Sequence, residues 1–196
     1  MIASPQFPPS AKFFSRLFSA PTIPIPCNRT SLLKYDPHIM PYAPDLASPG
    51  PLKSVGYLWF GHSFPRGKVE PAILDRLVAL AVKPLGYYCG FHLCNVGFCN
   101  LRPTFNGQPG FRYRGRLLYL GSADIWVPGV DAVYNAPNLI VHYIRHHRYR
   151  PPDCFCAAVL NCPEPDSEEY RERLVRIAPE LARCFNASYV PRRRLS

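Results

Sequence analysis

Cys89, His92, Cys94 and Cys99 fall in one run, Tyr-Tyr-Cys-Gly-Phe-His-Leu-Cys-Asn-Val-Gly-Phe-Cys-Asn, from Tyr87 to Asn100. Thiolate and imidazole are the ligands zinc prefers, and a structural zinc site takes four of them. His92, Cys94 and Cys99 can supply three from one loop. The candidate fourth is His142, with His146 one helical turn further on. Metal binding here would tie the loop to a helix and add to folding, because an unfolded chain does not preorganise its ligands. Two other chemistries use the same residues. The cysteines can be small buried hydrophobes, with His92 a core histidine bonded to a backbone carbonyl. Alternatively Cys94 is a nucleophile activated by His142, with Asp124 orienting the imidazole. His92 is not the expected base for Cys94; His142 would have to be brought in by the fold. The His-x₃-His pair also lacks the glutamate that a zinc-protease helix carries.

These residues need elements to hold them. Val55–Phe60 is β-branched and aromatic and reads as a strand ended by Gly61. Pro71 opens a helix over 70–82, where Ile73, Leu74, Leu77, Val78 and Ala81 repeat at helical spacing. Arg112–Leu120 reads as a hairpin or strand pair, with Arg112, Arg114 and Arg116 alternating on one face. Ala123–Val127 is a further strand, Pro128-Gly129 a turn and Ala132–Tyr134 a short return. Asn135 is the expected N-cap of a helix that begins at Ala136-Pro137. On that helix Leu139, Ile140, Tyr143, Ile144 and His147 form an apolar stripe, with His142 and His146 beside it. Asp153 to Leu160 is another helix. Glu168 to Cys184 is a last one, kinked or divided at Pro179.

The alternation of strands and helices predicts an α+β fold, a small antiparallel sheet packed against several helices. Clustered proline and serine mark residues 1–52 as a disordered Pro-rich tail. Within it, Ala11–Ser19 is amphipathic and basic, as an organelle transit segment would be. Residues 53–185 form the expected single domain, and 186–196 a basic C-terminal tail. The 196-residue chain carries a net charge of +10, which raises nucleic acid as a partner, but its cations are dispersed rather than clustered. No apolar run reaches the roughly 20 residues a membrane span requires. Eight cysteines without an N-terminal export segment point to a reducing cytoplasm and free thiols.

Five segments carry a resemblance. They are Gly90–Cys94 (Gly-Phe-His-Leu-Cys), Gly121–Gly129 (Gly-Ser-Ala-Asp-Ile-Trp-Val-Pro-Gly), Ala136–Ile144 (Ala-Pro-Asn-Leu-Ile-Val-His-Tyr-Ile), Tyr149–Pro152 and Ala158–Pro163. In this order they resemble a family of short bacterial proteins built on a domain of unknown function. Its pattern is Gly-Phe-His-x-Cys-x-x-Cys, followed by Gly-Ser-Ala-x-hydrophobic and Pro-Gly. The resemblance runs from Val55 to Tyr170 and implies a domain rather than a reaction. Where the family pattern places its second cysteine, this chain has Gly97, and the next cysteine is Cys99. The expectation is therefore a non-enzymatic module that works through a protein partner and is stabilised by zinc on His92, Cys94, Cys99 and His142. A small enzyme using a Cys/His pair or an open zinc site is the alternative, and a basic nucleic-acid-binding protein the second alternative.

Overall fold

A computed structural model of the chain describes residues 43–48, 50–87, 92–97, 99, 110–182 and 185. The expected transit-like helix, the Pro-rich tail up to residue 42, Cys89 and the C-terminal basic tail lie outside the described residues.

The architecture is α+β. A four-stranded sheet takes β1 (Leu52–Ser54), β6 (Val133–Pro137), β5 (Ala123–Pro128) and β2 (Gly86–Tyr87), in that spatial order. Pairings β2–β5 and β5–β6 are antiparallel, as expected, but β1 runs parallel to β6, so the sheet is mixed. A separate hairpin joins β3 (Gly110–Tyr113) to β4 (Arg116–Tyr119). The helices are α1 (Pro71–Val82), α2 (Ile140–His147), α3 (Asp153–Leu160) and α4 (Glu168–Ile177), followed by a 3₁₀ turn at Pro179–Leu181. Strand β5 is the centre of the core. Five of its six residues are buried, and α1, α3 and α4 all pack against it. Such near-continuous burial marks a strand covered on both faces.

Local chemistry accounts for most boundaries. Pro71 fills the first position of α1, where its missing N–H costs nothing. Ser167 caps α4 by accepting from the Tyr170 N–H at 3.1 Å, and Glu168 and Glu169 complement the positive end of the helix. Arg114 and Gly115, with φ of 46° and 79°, make the tight turn between β3 and β4. That turn breaks the expected face of three arginines: Arg114 is in the loop, where it pairs with Asp75 at 3.0 Å. Tyr113 also donates to Asp75, at 2.7 Å, so one carboxylate of α1 holds the tip of the hairpin.

Two expectations are corrected. The strand expected over Val55–Phe60 is displaced to β1, because Gly56 adopts φ +76° and breaks the extended run. Asn135 is no helix cap. It pairs with Trp126 inside β6 and donates to Asp124 at 3.1 Å, while α2 starts five residues later without a side-chain cap. Pro137 ends the strand here instead of opening a helix.

The hydrogen bonds of the domain also begin before the expected boundary at residue 53. Asp45 accepts from the Gly56 N–H at 2.9 Å and from the hydroxyl of fully buried Tyr149 at 2.7 Å. Ala43 bridges to Tyr57. Asp45→Ala leaves both donors without their partner, and a hydrogen bond to a charged group contributes about 2 kcal/mol. The expected result is a loss of about that size or more in urea unfolding; an unchanged midpoint would show that Asp45 does not anchor the domain.

Candidate metal centre

The fold brings Cys94, Cys99, His142 and His147 together, with one donor atom from each lying within 4.8 Å of every other. The sulfurs come from the loop after β2 and the imidazoles from α2. Sγ of Cys94 is 3.2 Å from Nε2 of His147, and Sγ of Cys99 is 3.1 Å from Nε2 of His142. For a tetrahedral ion with metal–sulfur bonds near 2.3 Å and metal–nitrogen bonds near 2.0–2.1 Å, the ligand–ligand edges are about 3.4–3.8 Å. The observed separations bracket those values, so shifts of a few tenths of an ångström to about one ångström would complete the polyhedron. The donor set and the spacing therefore fit a metal ion.

Three of the four residues expected from the sequence meet here. His92 does not join them. Its imidazole lies beside Trp59, with ring centroids 6.0 Å apart, and its role is carried by the backbone. The His92 N–H donates to the Gly121 carbonyl at 2.7 Å, and the Gly121 N–H donates to Oδ1 of Asn138 at 2.6 Å. Asn138 is buried and immediately precedes the first turn of α2. The chain from Asn138 through Gly121 to His92 thus fixes the cysteine loop relative to the histidine helix. Gly121 has φ +85°, and a Cβ there would stand 2.2 Å from the His92 carbonyl oxygen. Only glycine fits.

His147 takes the fourth position. It lies five residues after His142, roughly 140° around the helix, so the two imidazoles approach the sulfurs from either side of the Tyr143 and His146 positions. His147 is the last residue of α2. Arg148 then turns left-handed, with φ 56°, and the Tyr149 N–H closes on the Tyr143 carbonyl at 3.1 Å. A histidine on the same stripe as buried Tyr143 is the sequence signal for this fourth donor.

The surroundings keep the uncharged forms. His142, 1% exposed, has its imidazolium pushed down to about 3, by burial first and then by the positive charges of His146 and His147. His147 is lowered by burial, His146 and Arg66. Burial pushes the Cys94 thiol up to about 12, with the neighbouring Cys99 acting in the same direction. Phe111 of β3 closes the rim, edge-on to His142 and His146 at 6.2 and 5.6 Å, and His146 stacks on His142 at 4.8 Å. A lone thiolate is costly in this setting. A divalent cation with two thiolates and two neutral imidazoles has no net charge, which a half-buried site accommodates.

These features define an α+β domain with a Cys₂His₂ group at the joint between a loop and a helix. The family model described as Domain of unknown function (DUF7919) matches residues 34–160, and the chain belongs to that family. Neither a curated protein nor a solved structure matches it.

Two predictions follow from the geometry. Gly121→Ala adds both left-handed strain and the clash with His92, whereas Gly115→Ala adds the strain alone, with nothing within 4 Å of its Cβ. Gly121→Ala is expected to cost at least ~2 kcal/mol and Gly115→Ala about 1 kcal/mol; equal losses in chemical unfolding would remove the anchoring role of Gly121. Second, an unfolded histidine titrates near 6.5, far above folded His142. Below that pH the unfolded chain takes up a proton that the folded one refuses, so stability falls on acidification. His142 alone gives ~1.4 kcal/mol per pH unit, or ~2 kcal/mol between pH 7 and pH 5. Urea midpoints at the two pH values, with chelator present, check it; equal midpoints refute it.

Proposed function

We propose that this domain is a non-catalytic binding module whose fold is held by a zinc ion on Cys94, Cys99, His142 and His147. The convergence of four soft or borderline donors within 4.8 Å supports that reading. His147 replaces His92 in the ligand set. A structural zinc site is closed by four protein ligands, whereas a catalytic one keeps a position open for water or substrate. The enzyme alternative is further weakened by the chemistry of Cys94, since a nucleophilic thiol needs a lowered pKa and this one is raised.

Zinc would add a direct link between the cysteine segment and α2 to the one made through Gly121 and Asn138. The module would then act through a protein partner. The nucleic-acid alternative keeps its net charge but has no strip of Arg112, Arg114 and Arg116 to use, because Arg114 lies in the β3–β4 turn and pairs with Asp75. Free thiols at Cys94 and Cys99 suit a reducing compartment, which agrees with a cytoplasmic location. No described helix is long and apolar enough to cross a membrane.

Elemental analysis of purified protein is expected to find zinc stoichiometric with the chain. A strong chelator should lower the melting temperature by about 10 °C, the shift for a few kcal/mol in a domain of this size. His142→Ala and Cys94→Ser should abolish zinc retention, while His92→Ala should preserve it. Protein without zinc that also melts unchanged in chelator would refute the assignment, and zinc loss in His92→Ala would refute this ligand set.

A further inference from the structure

The four donors divide into two halves of different character. Both imidazoles belong to one helix, and His142 is buried. Both sulfurs belong to the segment after β2, and Cys94 and Cys99, like His147, are half-buried rather than sealed in the core. Only four residues separate the two cysteines in the chain. Between them Gly97 takes φ +61°, with nothing within 4 Å of a Cβ built there, so the turn has room to tighten. Their sulfurs lie within 4.8 Å of each other, and a disulfide brings them to about 2.0 Å. The other described cysteines are less well placed to pair. Cys154 and Cys156 are two apart on α3 and leave the helix in different directions, and Cys162 is buried.

We infer that Cys94 and Cys99 form a reversible disulfide that ejects the cation, making the site a thiol–disulfide switch. The inference rests on the zinc reading above. With a low-molecular-weight disulfide as oxidant, one cysteine thiolate attacks a sulfur of that molecule, forming a mixed disulfide and expelling one small thiolate. The second cysteine thiolate attacks the protein sulfur of the mixed disulfide. The Cys94–Cys99 bond forms and the second small thiolate leaves. Two electrons pass from the cysteine sulfurs to the oxidant, and no proton is needed to balance the step. The thiolate is the metal ligand, so only His142 and His147 remain as donors and the cation dissociates.

The test uses the full chain, loaded with zinc, freed of excess and treated with glutathione disulfide at neutral pH. A chromogenic chelator reads released zinc, and peptide mapping without reductant reads cross-links. Zinc is expected to appear in step with, and in equal amount to, a Cys94–Cys99 cross-link, and to rebind after dithiothreitol. Zinc retained despite the oxidant, or released with any other cysteine pairing, overturns the switch and leaves the zinc assignment standing. A chain that holds no zinc before oxidant is added overturns both.

Discussion

The Gly121 backbone is the joint on which the site depends. Its N–H donates to Asn138 at the start of α2, and its carbonyl accepts from His92 at the start of the cysteine loop. Three segments distant in sequence are fixed relative to one another through a single peptide neighbourhood. The position requires glycine twice over, once for its left-handed φ and once because a side chain would displace the loop. Loops are ordinarily the least constrained parts of a fold. This one is tied at His92 by a backbone bond to Gly121, which is itself bonded to the Asn138 side chain, and that relay helps bring two cysteines to face two histidines on a helix.

The Cys₂His₂ group sits where the apolar core ends. Tyr143 and Ile140 turn one side of α2 inward, and Phe111 of the hairpin covers the ring edges of His142 and His146. Low polarity here works against any isolated charge and favours a compensated set. The hairpin is in turn anchored by Asp75 on α1. The cover of the site and the packing of the first helix are therefore mechanically linked, although neither donates a ligand.

Much of this arrangement was legible in the residues. Pro71 with its apolar repeat fixed α1, and β5, its Pro-Gly turn and β6 followed from alternation and turn chemistry. Asn135-Ala136-Pro137 misled because a proline can close a strand as readily as it opens a helix, and α2 has no capping side chain to mark its start. β1 was hidden for a different reason. Leu52–Ser54 is short and only half-buried beside a proline-rich stretch, and its stability comes from a distant strand. The neighbouring run with higher β-propensity contains Gly56, whose conformation breaks it. Asp45 looked like part of a tail because nothing local shows that it serves Tyr149, more than a hundred residues away. Three of the four clustered donors follow from residue type and spacing. His147 is visible in the sequence only as a member of the Tyr143 stripe, because five-residue spacing does not set it on the His142 face.

The parallel pairing of β1 with β6 matches Leu52 to Val133, and it sets an order of events during synthesis. Closing so long a loop is slow, and an unpaired strand offers its edge to other chains in the meantime. On the ribosome the first-made strand has to wait until the last strand of the sheet has emerged. Its brevity, with Pro51 on one side and Gly56 on the other, keeps that waiting edge a poor template for aggregation.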